Sequence, residues 1–264
     1  MELEILGSGT SHGVPVIGCG CAVCASTDPF DNRMRASALL RDNDGTSILI
    51  DAGPEFRLQA LRAGIRRLDA VLITHSHADH IHGLDDIRIF STRADMPVYA
   101  DPWSVEEILQ RFSYIFKMTQ EGGGKPHIKL MTVCGAPGCS PPELVLAGKR
   151  IQPIPLYHGK LQILGWRCGN TAYLTDCNGI PEHSYRLLEG TENLVIDALR
   201  LRPHSTHFNF SQALEQIDRI KPKQAWFTHI CHDFTHRQIL EWLAKNAPGK
   251  KIEPAFDGLR ISIR

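Results

Sequence analysis

The densest chemistry in this sequence lies in His75-Ser-His77-Ala-Asp79-His80, four potential metal ligands within six residues. On an extended segment alternate side chains point the same way, so His75 and His77 can share one ion. If the chain then turns into a helix, Asp79 and His80 swing towards a second position. Imidazole and carboxylate together suit zinc, manganese or iron. The stretch follows the apolar run Ala70–Ile73 and leads to Gly83, which sets it apart from a patch of surface histidines.

Cys19-Gly-Cys21-Ala-Val-Cys24 is a second cluster. Three thiolates so close can wrap a zinc ion and need one more ligand to close a tetrahedral site. His232, three residues beyond His229 in THICH, is the candidate. A closed site of four ligands leaves no position for substrate, so this zinc would be structural. Cys168, Cys177 and Cys231 lie by apolar runs and read as core residues. Cys134 and Cys139 read as loop residues, and His12 and His82 as the surroundings of the site or as surface. Lys160, as a point charge, and Arg33 and Arg35, between the cysteine loop and a strand, are candidates to meet an anionic substrate.

The elements that must position these groups follow from hydrophobic periodicity. Strands are expected at Glu2–Leu6, Ala36–Leu40, Ser47–Ile50, Ala70–Ile73, Pro97–Ala100, Leu144–Leu146, Ile151–Pro155, Leu161–Arg167, Thr171–Thr175, Leu194–Asp197 and Ala225–Thr228. A last strand pair is expected around Gly258. Helices are expected at Phe56–Ala63, Ile81–Phe90, Val105–Phe116 (capped by Ser104), Pro181–Leu188, Ser211–Ile220 and Arg237–Lys245. Residues 117–142, with EGGGKP and CGAPGCSPP, read as a surface excursion. No internal repeat is read. Strands with helices interspersed in both halves imply an α/β architecture of two sheets with helices outside.

The chain has 264 residues, 42% hydrophobic and 22% charged, which fits one globular enzyme with a sizeable core. The formal net charge is zero, so no large basic footprint advertises a nucleic-acid partner. No apolar run is long enough to span a membrane, and the start lacks a secretory pattern. The cytoplasm is therefore the expected compartment. There, clustered cysteines read as ligands rather than disulfides.

An HxHxDH motif after a strand resembles the signature of the metallo-β-lactamase superfamily. That resemblance implies an αββα sandwich of two mixed sheets, here one domain over 1–264 with the cysteine loop at about 17–26. It further implies a distal histidine, a bridging aspartate and a last histidine, each at a strand end. Pro155-Leu-Tyr-His158, Tyr173-Leu-Thr-Asp176 and Trp226-Phe-Thr-His229 match them in order. By resemblance His75, His77 and His158 bind one ion, Asp79, His80 and His229 the other, and Asp176 bridges. Asp51, in LIDAG, would orient a ligand from behind. His207 is the expected general acid, with His204 its competitor.

The cysteine loop narrows the resemblance to the PhnP phosphodiesterases of the bacterial carbon–phosphorus lyase pathway. GTSHGVPVIGCGCAVC, LIDAG, THSHADH, LYHGKL, LTD and FTHICH carry it. It implies hydrolysis of small cyclic or nucleotide-like phosphodiesters by a metal-activated hydroxide, with two manganese or zinc ions and one structural zinc. Segment Ser113–Pro142 is longer than in a compact relative, and a homodimer contact or a cover for the cleft are its two readings. The alternatives are a thioester or lactone hydrolase, a tRNA 3′-processing-like endonuclease, and a metal-binding module without activity.

Overall fold

The computed structural model describes residues 1–117, 124–134 and 140–264. In chain order its strands are β1 (Glu2–Gly7), β2 (Ser37–Arg41), β3 (Ser47–Ile50), β4 (Ala70–Leu72), β5 (Met96–Ala100), β6 (Ile128–Thr132), β7 (Leu144–Leu146), β8 (Lys149–His158), β9 (Leu161–Cys168), β10 (Thr171–Leu174), β11 (Asn193–Asp197), β12 (Gln224–Thr228), β13 (Ile252–Pro254) and β14 (Arg260–Ser262). Among the described residues they form two seven-stranded sheets, β14-β1-β2-β3-β4-β5-β6 and β13-β12-β11-β10-β9-β8-β7. Each sheet has four strands in antiparallel order, β14 to β3 and β7 to β10, and continues with parallel strands, to β6 and to β13. The two sheets share one plan.

The helices are α1 (Phe56–Ala63), α2 (Ala78–Ile81), α3 (Pro102–Arg111), α4 (Ser113–Phe116), α5 (Glu182–Leu187), α6 (Phe210–Ile220) and α7 (His236–Asn246). Between the sheets, Ile48, Ile50 and Leu72 share a core with Trp166, Tyr173, Val195 and Trp226. On the outer face of the first sheet Leu49, Val71 and Val98 pack with Phe56 of α1 and Ile108 of α3. On the outer face of the second, Leu174, Leu194 and Phe227 pack with Phe210 of α6 and Ile239 of α7. Strands covered on both faces carry unbroken apolar runs, which is why ILI, AVLI and LVI were legible. The α/β arrangement of two mixed sheets and flanking helices is the expected one.

Several local expectations are corrected. The helix expected at 105–116 begins at Pro102, because the Asp101 carboxylate, not Ser104, caps it by accepting the Ser104 N–H. It stops at Arg111, and α4 follows separately. The helix expected at 81–90 is α2 followed by a 3-10 turn, Leu84–Ile89. The break falls at Gly83, whose N–H donates to Ala52 O at 2.7 Å. A Cβ there would sit 2.1 Å from Gly53 O, so only glycine lets the ligand helix close on the loop after β3. The supposed excursion contains β6, the edge of the first sheet. The last two strands are no pair: β13 joins one sheet and β14 the other. No helix among the described residues is long and apolar enough to cross a membrane.

Candidate metal centre

The site is built at the carboxyl ends of strands, where α/β sheets leave room for ligands. Asp51 follows β3, His75 follows β4, Asp176 follows β10 and His229 follows β12. Asp51, Asp176 and His229 have φ of 61°, 60° and 58°. That left-handed conformation is rare outside glycine and costs about 1–3 kcal/mol each. The turn it makes lifts each side chain off the strand and over its end. His77 precedes the first turn of α2, which carries Asp79 and His80. His207 lies two residues before Asn209, whose side chain forms a reciprocal capping box with Gln212 at the start of α6.

The predicted residues converge. One ligand atom from each of His75, His77 and His158 lies within a sphere of contacts no wider than 4.8 Å, and the same holds for Asp79, His80, Asp176 and His229. Asp176 joins the groups: its Oδ2 is 2.6 Å from His80 Nε2, 3.0 Å from His229 Nε2 and 3.9 Å from His75 Nε2. Its Oδ1 is 3.3 Å from His158 Nδ1 and 3.3 Å from His207 Nδ1. Behind the cage, His80 Nδ1–H donates to Asp51 at 2.7 Å, and His158 Nδ1–H donates to the Asp176 carbonyl at 2.7 Å. Each bond fixes the ring and turns Nε2 towards the cage. The expectation for Asp51 as an orienting group matches its position.

The donor set fits cations. Both ring nitrogens of His229 are buried without a hydrogen bond; its contact with Asp176 is close but misaligned for one. Burial, reinforced by the charge of His80, holds His75 well below the usual imidazole range, so it presents a lone pair. Burial likewise pushes His158 down to about 4. Burial opposes ionisation of Asp176, yet the neighbouring His229 and His80 hold its carboxyl well below the usual range. Imidazole lone pairs around an ionised carboxylate are what divalent ions bind, and a proton on any of these rings must leave first.

At the cysteine loop, Sγ of Cys19, Cys21 and Cys24 lie 3.4, 3.5 and 3.4 Å from His232 Nδ1. A tetrahedron with Zn–S legs of about 2.3 Å and a Zn–N leg of about 2.0–2.1 Å has an S–N edge of about 3.5 Å. These three edges match that tetrahedron. The Cys24 N–H hydrogen bond lowers the Cys21 thiol to about 6, supplying a thiolate.

Comparison with known proteins fits this geometry. Residues 46–230 match the family model described as a beta-lactamase superfamily domain. The chain belongs to the metallo-β-lactamase superfamily. A solved structure of a diphosphatase from the PhnP family is 40% identical, covers 98% of this chain and 96% of its own, and superposes with a TM-score of 0.86. A Porphyromonas gingivalis protein named octanoyltransferase is 37% identical over the whole chain, which spans about half (52%) of that longer protein. A ribonuclease Z from Bradyrhizobium is 31% identical over 38% of this chain and 34% of its own length. The chain is thus PhnP-like, with the metal-ligand set of the superfamily's hydrolases.

The remaining expectations divide. His207, 8% exposed, reaches Asp176, whereas His204 is exposed, with its ring 4.9 Å from that of His207. Lys160 is exposed in the turn between β8 and β9. Arg33 is corrected: its buried guanidinium donates to Cys231 O at 2.8 Å and Phe234 O at 3.1 Å and pairs with Asp31. It ties the start of the first sheet to the segment carrying His232 and has no exposure through which to meet substrate. Arg35 is also committed, donating to Ser11 O at 2.7 Å and Glu55 at 2.8 Å. The cores hold Cys168, Cys177 and Cys231 as expected, Cys134 is exposed, and Cys139 lies outside the described residues.

Two residues escaped the sequence reading. Asp197, fully buried at the end of β11, accepts from His207 Nδ1 at 3.0 Å and lies 3.7 Å from His229 Nδ1. Its signal was present, since Leu194-Val-Ile-Asp197 repeats the pattern of Ile48-Leu-Ile-Asp51, but it read only as a strand. Arg111 of α3 donates to the Ser76 carbonyl at 2.7 Å, bracing the loop between His75 and His77. Nothing in its spacing pointed there.

Proposed function

We propose that this protein is a phosphodiesterase with two divalent ions, manganese or zinc, acting on small cyclic or nucleotide-like diesters. His75, His77 and His158 would hold one ion, Asp79, His80 and His229 the other, with Asp176 between, and the cysteine loop a separate structural zinc. When bound, such ions polarise a phosphoryl oxygen and make water acidic enough to attack near neutral pH.

The observation that carries the reading is the place of His207. Its ring stacks on that of His229 with centroids 4.7 Å apart and lies 5.0 Å from that of His158. It therefore borders both ligand groups. Asp197 holds Nδ1, so Nε2 is the end left to give a proton. Burial pushes the His207 imidazole down and the Asp197 carboxyl well up. For Nε2 to carry a proton while Asp197 accepts from Nδ1, the pair must hold two protons, an imidazolium beside a carboxylate, which together bear no net charge. A phosphodiester expelling an alkoxide needs that proton, whereas a good leaving group does not.

The second reading is a thioester hydrolase, supported by the acyl-transfer name of the relative from Porphyromonas gingivalis. His207→Ala separates the two. It should lower kcat on a 2′,3′-cyclic nucleotide by about 10²–10⁴-fold. Loss on a bis-nitrophenyl phosphate, whose phenolate leaves unaided, should be far smaller. Turnover of thioesters, with neither phosphate ester cleaved, would replace this reading by the second.

A further inference from the structure

The ligand rings differ in what stands behind them. Nδ1 of His80 has Asp51, Nδ1 of His158 has the Asp176 carbonyl, and Nδ1 of His75 lies 3.1 Å from the Thr74 hydroxyl. Nδ1 of His229 lies 3.7 Å from Asp197. His77 has no such support. It is the exposed member of its ligand group, and among the described residues its ring makes one hydrogen-bonding contact, Nδ1 to His75 Nε2 at 2.9 Å. That contact is with a fellow ligand, so both nitrogens face the same point. A ring with nothing behind it holds its place only through its own backbone.

That backbone is fixed from both sides. The His77 carbonyl accepts from His80 N–H at 3.0 Å and Ile81 N–H at 3.2 Å, which closes the first turn of α2. Ser76, just before it, is buried, and among the described residues its carbonyl has one donor, Arg111 Nη1 at 2.7 Å. Buried carbonyls in folded proteins are almost always paired, so this bond decides where the loop settles.

Arg111 is aimed by its own helix. Its Nη2 pairs with Glu107 one turn earlier, and α3 is anchored by the Asp101 cap and by Ile108 in the core. The residues that follow extend the contact. The Phe112 ring packs edge-on against that of His82, with centroids 6.0 Å apart, and the Tyr114 hydroxyl donates to Asp85 at 2.5 Å. Residues 111, 112 and 114 thus meet 76, 82 and 85 in turn. The corner between α3 and α4 clamps the ligand segment from outside, and Arg111 is the part of it that reaches between His75 and His77.

We infer that Arg111 is a positioning residue for His77, and through it for one ion of the pair, the one at His75, His77 and His158. The other position leans on Asp51 instead. The inference rests on the two-ion part of the reading above and not on its substrate.

The test is calorimetric titration of the metal-free protein with manganese, for the unmodified chain and for Arg111→Ala, Arg111→Lys and Asp51→Asn. Arg111→Ala should weaken one of the two binding steps by about 10–100-fold, the usual loss on removing a group that supports a ligand, and leave the other step unchanged. Arg111→Lys, which keeps a donor but not the fork, should restore part of it. Asp51→Asn should weaken the other step, so that the double variant shows both losses at their separate sizes. Thermal melting of each variant checks that the fold persists. Equal weakening of both steps by Arg111→Ala would make the residue a general brace and overturn the inference. An unchanged isotherm with a raised KM on bis-nitrophenyl phosphate would make it a substrate contact and overturn the inference as well. A single ion bound by the unmodified protein would remove the two-ion reading, and this inference with it. The expected split between steps without cleavage of any phosphate diester would support the inference and remove the substrate reading alone.

Discussion

Asp51 and Asp176 end corresponding strands of two sheets built to one plan, and they do opposite things. Each follows the strand at which antiparallel order gives way to parallel, β3 in one sheet and β10 in the other. Each has φ near +60°. Yet Asp51 is saturated: Oδ1 accepts the Thr74 N–H at 2.8 Å, and Oδ2 accepts the Thr74 hydroxyl at 2.8 Å and His80 Nδ1–H at 2.7 Å. Three of its roughly four lone-pair sites are taken, so it acts chiefly through His80. Asp176 instead faces the rings of His75, His80, His158, His207 and His229. The difference comes from the neighbouring parallel strand. β4 runs into Thr74, a double donor, while β11 ends in Asp197, a second carboxylate. One backbone device thus makes an orienting group in one sheet and a bridging candidate in the other.

This contrast can be broken by experiment, and the largest effect belongs to Asp176. Asp176→Asn should lower kcat/KM on the order of 10³–10⁴-fold, as loss of a group acting in a unit does. It should also reduce the ions retained, read by metal analysis of the purified variant. A variant that keeps both ions and most activity would erase the distinction drawn here.

Asp51→Asn should do less. Loss of such an orienting partner weakens metal affinity by about 10–100-fold. Titration of the metal-free protein should show that loss at the position held by Asp79, His80 and His229, with the other position little changed. Equal weakening of both would mean that Asp51 supports the whole cage.

The smallest effect concerns pH. Burial opposes protonation of His80, but Asp79 and Asp51 raise it well above its ordinary value, so without metal it holds a proton at neutral pH. Metal must displace that proton, and affinity at this position should rise about tenfold per pH unit until His80 deprotonates on its own. His158, pushed down to about 4 by burial, has none to lose. The position it shares with His75 and His77 should depend on pH less steeply. Calorimetry in buffers of different ionisation enthalpy counts the protons released. In Asp51→Asn the steeper dependence should flatten.

Much of this was legible in the residues. HSHADH, CGCAVC and the aspartate or histidine ending each apolar run are local patterns, because strands buried on both faces are nearly all apolar and a polar residue at their ends stands out. The two-sheet architecture followed from the same runs. What failed was the pairing of distant segments. β13 and β14 sit close in sequence but go to different sheets, and β6 lies inside a segment whose Gly and Pro content reads as loop. The repeated plan of the sheets also escaped notice, because it resides in strand order rather than in matching letters.

The sequence by itself determined which side chains could ligate and that they would lie at strand ends, since periodicity and residue type are local properties of the chain. Only the tertiary structure decided which carboxylate is spent on orienting and which faces the rings, and that Arg33 is buried structure. Those outcomes depend on which donors arrive within about 3 Å from elsewhere in the chain, and hydrogen bonds act only at that range.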